Sequence, residues 1–148
     1  MASKLYEKIL IATDGSEYTK NAVDYGIDLA KNTGAKLFTI YVVDTAAFAS
    51  IPMDAAWEGM YGLLKQEGDE AIKYVAERAE TEGLEVEGNL IEGHPADEII
   101  KYSEKNSISV IIMGTLGKSG LDRFLLGSVA EKVVRNSKIP VLVVHAKK

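Results

Sequence analysis

Short, wholly apolar runs alternate with longer stretches of helical periodicity along this chain, and that alternation restricts its fold more than any other feature. Lys8-Ile9-Leu10-Ile11-Ala12-Thr13, closed by Asp14-Gly15, reads as a strand buried on both faces. Ser16 is placed to cap a helix in which Ala22, Val23, Ile27, Leu29 and Ala30 recur at helical spacing, with Gly34 as its stop. A second buried strand over 35–43 ends at Asp44, and residues 45–53, with Pro52 and no clear period, read as an irregular loop. A long helix through Ala71, Val75 and Ala79 follows and stops near Gly83. Residues 84–91 alternate apolar and polar, as an edge strand does, and Pro95 then suits the first turn of a helix carrying Ile99, Ile100 and Tyr102. A strand over 109–113, a helix over 128–136 and a strand over 140–144 complete the series. Parallel neighbours need crossover helices, so the fold class is α/β: a three-layer α/β/α sandwich around a parallel, Rossmann-like sheet.

In such open sheets ligands bind beyond the carboxyl ends of the strands, where the strand order reverses, which directs attention to Asp14, Asp44, Glu92 and Gly114. The segment after the fourth strand reads Gly114-Thr115-Leu116-Gly117-Lys118-Ser119-Gly120 and continues to Leu126-Gly127-Ser128. Gly114 and Gly117 leave the backbone bare enough for phosphate oxygens to approach its amides. Gly127 and Ser128 open a helix, with Ser128 and Glu131 at capping-box spacing, so a hydroxyl and unpaired amides accompany the positive end of a helix dipole. Each glycine alone could be an ordinary turn residue; their joint spacing points to an anion cradle.

That spacing resembles the nucleotide motif of ATP-binding universal stress proteins. The opening Lys8 to Ser16, the segment Tyr41-Val42-Val43-Asp44 and the close Ile139 to Val144 share the resemblance, which spans the whole domain, residues 1–148. It implies five strands in the order 3-2-1-4-5, as in the adenine nucleotide alpha-hydrolase-like folds. It also implies that the main chain at Ala12, Thr13 and Val42 lies beside adenine and that Asp14 reaches the ribose hydroxyls. Gly114, Gly117, Gly127, Ser128 and Val129 would flank the phosphates, and Lys118 would neutralise them. Asp14 also suits a turn that starts a helix, and Lys118 a solvated loop. Where family members often carry a small or polar residue and then His between the first two glycines, this chain has Thr115 and Leu116.

Other motifs fail. Gly117-Lys118-Ser119 mimics the end of a P-loop, but the required earlier glycine would fall at Ile112, inside a strand. Thr13-Asp14-Gly15-Ser16 lacks the dinucleotide fingerprint, and a phosphoacceptor receiver domain would need an Asp where Glu92-Gly93 stands. His94 and His145 have no acids at ligand spacing, so no protein metal site is expected. No nucleophile–base pair is evident, and no catalytic residue is assigned.

The expected cofactor is ATP, ADP or AMP, with Mg²⁺ held through the phosphates. The favoured function is a nucleotide-dependent switch or sensor of the stress response, acting on an unknown protein partner. The alternatives are a slow ATP hydrolase, using Asp44 or Lys118 to place a water, and a nucleotide-free interaction module. A homodimer through the apolar last strand, Val141-Leu142-Val143-Val144, agrees with the resemblance. The aromatic and methionine residues between Phe48 and Tyr61 read as a lid, a partner surface or core packing. A net charge of −5 with scattered lysines argues against nucleic acid. The lack of cysteine excludes disulfides and thiolate chemistry. Without a signal-like amino terminus or a long apolar span, the protein is expected in the cytoplasm.

Overall fold

A computed structural model of the chain describes residues 3–115 and 126–147. Five parallel strands, β1 (Lys8–Ala12), β2 (Lys36–Val43), β3 (Val86–Glu92), β4 (Val110–Gly114) and β5 (Val141–Val144), form one sheet in the order β3-β2-β1-β4-β5. The helices are α1 (Lys20–Thr33), α2 (Ala55–Glu80), α3 (Pro95–Lys105) and α4 (Ser128–Asn136). The alternation of β1 explains the layers. Ile9 and Ile11 point to one face, where α1 and α2 bring Val23, Ile27, Val75 and Ala79. Leu10 points to the other, among Ile99 of α3 and Ala130 and Val133 of α4. Ile9, Leu10 and Ile11 are fully buried, and each such side chain contributes about 1.5–3 kcal/mol by leaving water. A central strand with apolar residues at every position therefore needs helices on both sides.

α1 ends as expected at Gly34, whose N–H reaches the Ala30 carbonyl at 3.0 Å. Its start differs. Ser16 precedes a 3₁₀ turn, Glu17–Thr19, its hydroxyl caps nothing, and α1 begins only at Lys20. The expected irregular loop contains a 3₁₀ turn, Thr45–Phe48, in which Asp44 Oδ1 accepts the Ala47 N–H at 3.1 Å. β3 starts at Val86 rather than at residue 84, because the Leu84 N–H turns back to the Ala79 carbonyl at 2.9 Å and closes α2.

α2 lies hard against the sheet at Gly68, where an added Cβ would come within 2.5 Å of Leu90 Cδ1 and 2.7 Å of Tyr41 Cδ1. Its buried residues are Gly68, Ala71, Val75 and Ala79, so the earlier turns overhang the sheet. Met53 and Leu63 are exposed there, and Trp57 stacks on Tyr61 with ring centroids 5.3 Å apart. Tyr61 joins a small cluster around Tyr41, Val43 and Ala71, whereas Met53 and Met60 contribute nothing to the core. After β5 the chain is tied back to α1: Asn21 Nδ2 donates to the His145 carbonyl at 2.8 Å, and Lys147 Nζ stands 3.4 Å from Asp24 Oδ2. Among the described residues no helix is long and apolar enough to cross a membrane.

Candidate functional site

The chain leaves β1 toward one face of the sheet and β4 toward the other, which opens a crevice between them at the carboxyl ends. A cavity of about 290 Å³ occupies it. Ala12, Thr13, Asp14, Val42, Gly114, Gly127, Ser128 and Val129 all line this cavity, so the structure brings together every expected binding residue that it describes. Gly117 and Lys118 lie outside the described residues. Asp44, Thr19, Leu64, Pro95 and Ile99 also line the walls.

On the β1 side a tight turn presents Asp14. Gly15 adopts φ 78°, a left-handed conformation that L side chains enter only with strain, and an added Cβ there would also stand 3.3 Å from Ala71 Cβ. Asp14 Oδ1 accepts the Ser16 N–H at 2.9 Å, so the aspartate does serve the turn. Among the described residues its Oδ2 accepts no hydrogen bond and is left for the cavity it lines. Thr13 is anchored through its N–H to the Ile40 carbonyl at 3.1 Å, and its hydroxyl accepts the Gly15 N–H at 3.1 Å. Ser16 Oγ is buried and makes no hydrogen bond among the described residues.

On the β2 side the ladder itself leaves groups open. The Ile40 carbonyl is used toward β1 and the Val43 carbonyl toward Gly93, on the β3 side, at 3.0 Å. Strand groups alternate in direction, so the N–H and C=O of Val42 face the β1 side, like those of Ile40. The last β1 residue with a partner on β2 is Ala12, opposite Ile40. Val42 therefore runs past the end of its neighbour with a donor and an acceptor side by side on the cavity wall.

The third wall is the start of α4. Gly127 is its N-cap, and the first intrahelical bond runs from the Glu131 N–H to the Gly127 carbonyl at 2.9 Å. The N–H groups of Ser128, Val129 and Ala130 precede that bond and have no intrahelical acceptor. The helix dipole adds partial positive charge at the same place. Gly127 spends its own N–H on the Thr115 carbonyl at 2.7 Å, so it brings the cavity an uncluttered backbone rather than a donor. The expected Ser128–Glu131 capping box does not form. Its hydroxyl would have to sit at the N-cap, a place Gly127 holds, and Glu131 pairs instead with Arg135 at 2.7 Å.

Sequence reasoning overlooked the helical walls. Leu64 stands four residues before Gly68 and seven before Ala71, on the stripe that α2 buries, and that spacing was a usable signal. Nothing local in Ile99 announced that one end of a core residue would floor a ligand cavity. Donation to Glu92, and to a lesser degree burial, raises the Tyr61 phenol above its usual 10.0 and joins the overhanging part of α2 to the end of β3. Among the described residues no group of three His, Cys, Asp or Glu is placed to hold a metal.

An open parallel sheet with a polar-rimmed, apolar-floored crevice at its switch point defines a doubly wound α/β domain, a class in which ligands bind at that crevice. The profile of the Universal stress protein family matches residues 5–145, and the chain belongs to that family. It is 46% identical over 144 residues to Universal stress protein MJ0531 of Methanocaldococcus jannaschii, covering 97% of this chain and 85% of that one. The solved structure of MJ0577, from the same organism, superposes with a TM-score of 0.84 at 30% identity, covering 97% of this chain and 99% of that one. A universal stress protein solved in complex with cAMP matches with a TM-score of 0.71 at 25% identity, covering 96% and 98%.

Proposed function

We propose that this chain binds an adenine nucleotide, ATP in particular, at the β1/β4 crevice and acts through it as a nucleotide-dependent switch in the stress response. The observation that carries this reading is that three complementary walls share one cavity. The Val42 N–H and C=O match the acceptor and donor on the Watson–Crick edge of adenine. A carboxylate with one uncommitted oxygen, Asp14, suits the vicinal hydroxyls of ribose. The free amides of Ser128 and Val129 suit phosphate. Ile40, Leu64, Ile99 and Met113 give the flat apolar contacts a base requires. The cavity volume, about 290 Å³, is at the small end of the range for ligand sites and fits a nucleoside with its phosphates at the mouth. There Gly114, and in this proposal Gly117 and Lys118, would flank them. The neighbour solved with cAMP supports an adenine ligand for the fold.

A Mg²⁺ ion carried by the phosphates would neutralise part of their charge, and the chain's own contribution is to orient and bind the nucleotide. Asp44, which could have placed a water for hydrolysis, caps a 3₁₀ turn through Ala47. The proposal includes a single domain over residues 1–148, a cytoplasmic location and pairing of two copies along β5. Leu142, 39% exposed on this edge strand, and Val134, 46% exposed on the adjoining α4, support the pairing. Sedimentation as a monomer at micromolar concentration would remove the pairing and leave the ligand reading intact.

The deciding experiment identifies the nucleotide released when purified protein is denatured and, in parallel, titrates stripped protein with ATP. Recovery of adenine nucleotide together with saturable ATP binding is expected. Protein that releases none and takes up none overturns the proposal.

A further inference from the structure

Resting on the nucleotide reading above, we infer that Thr19 is a positioning residue that sets the ribose specificity of the site by fixing the Asp14 carboxylate through hydrogen bonds that meet at Ser16. Thr13 and Thr19 are only 8% and 5% exposed, and their hydroxyl oxygens stand 3.2 Å apart. The direction of each bond follows from counting protons. Thr19 Oγ1 has the Ser16 carbonyl within reach at 3.0 Å as an acceptor. Thr13 Oγ1 already accepts the Gly15 N–H, and Thr19 Oγ1 is the acceptor available to its proton. If Thr19 donated to Thr13, the Thr13 proton would be buried without a partner, a cost that native structures avoid. The order is therefore Gly15 N–H to Thr13 hydroxyl, Thr13 to Thr19, and Thr19 to the Ser16 carbonyl. Ser16 is held at both ends, since its N–H donates to Asp14 Oδ1 at 2.9 Å.

Thr19 thus acts on Asp14 through Ser16. Removal of the Thr19 hydroxyl strands the Thr13 proton and releases the Ser16 carbonyl from one of its two donors, the other being the Thr19 N–H at 3.2 Å. The turn then relaxes and the carboxylate is no longer held toward one orientation. A ribose with two vicinal hydroxyls, which depends on where the uncommitted Asp14 Oδ2 is aimed, is the part of the ligand that senses this. Base and phosphate contacts, carried by β2 and α4, are made elsewhere on the rim.

The test compares ATP with 2′,3′-dideoxy-ATP by equilibrium dialysis against wild type, Thr19→Val and Thr19→Ser. Wild type is expected to prefer ATP. Thr19→Val, which keeps the shape and loses the hydroxyl, should weaken ATP about tenfold and leave dideoxy-ATP within about twofold. Thr19→Ser should restore ATP binding, and retained dideoxy-ATP binding shows that the valine variant is folded. Equal losses for both nucleotides, no loss for either, or no rescue by serine would each overturn the inference. So would a wild type that binds the two nucleotides equally well. Wild type that binds neither overturns the nucleotide reading itself, before any Thr19 variant is consulted.

Discussion

Two stretches of the cavity rim treat their polar groups in opposite ways. In the turn after β1, the side chains of Thr13, Asp14 and Thr19 bind the backbone of Gly15 and Ser16, and the two threonine hydroxyls meet each other. At Val42, and again at the first turn of α4, main-chain groups face the crevice without a ladder or helix partner. The first arrangement stabilises a shape. The second leaves donors and acceptors open at the crevice, where the proposed ligand would pair them. The site thus joins a turn held by its own hydrogen bonds, from which Asp14 Oδ2 is left over, to two stretches of open main chain; in the proposed reading the ligand meets that oxygen and those open groups.

The most severe way to break this contrast is Gly15→Val, which forces a β-branched residue into φ 78° beside Ala71. We expect a loss of about 3 kcal/mol of stability in chemical denaturation, with binding lost alongside. Asp14→Asn separates the two roles of one residue. The amide oxygen still accepts the Ser16 N–H, so the midpoint of unfolding should hold, while ATP affinity measured by calorimetry should fall about tenfold with the charge. Ser16→Ala removes a buried hydroxyl that has no hydrogen-bond partner among the described residues. Stability should rise by up to about 1 kcal/mol, and a marked loss would show that Ser16 Oγ has a partner after all.

The smallest effect lies far from the rim, on the opposite sheet edge. Burial first, and then Glu87, hold the Tyr102 phenol above its usual 10.0. The unfolded tyrosine therefore ionises first, and the stability contributed by this group declines as pH rises from about 10 through the folded value. Tyr102→Phe should flatten the alkaline limb of a stability–pH profile slightly and leave ATP binding unchanged.

Much of the architecture was legible because burial on two faces demands uniform apolarity. Ile9, Leu10 and Ile11 announce a central strand, and the alternation over 84–91 announces an edge, which the strand Val86–Glu92 forms. The glycine and serine pattern likewise pointed to Gly114, Gly127 and Ser128, which line one cavity, since close backbone approach leaves a mark in residue type. What stayed hidden depends on competition between neighbouring groups. Ser16 looks like a cap, yet the Thr13–Thr19 pair draws the chain into a 3₁₀ turn and delays α1 to Lys20. Ser128 looks like a cap too, and Gly127 takes the position by bonding Thr115. The open edge at Val42 is a property of strand length, because it exists only where β1 stops short of β2.

The ties between α1 and the tail after β5, made by Asn21 and Asp24, bear on how that edge would meet another chain. A strand fastened at its far end is a rail rather than a ribbon. Anything laid along it finds the backbone already ordered, so little conformational entropy is forfeited on docking and the register of contact is set in advance.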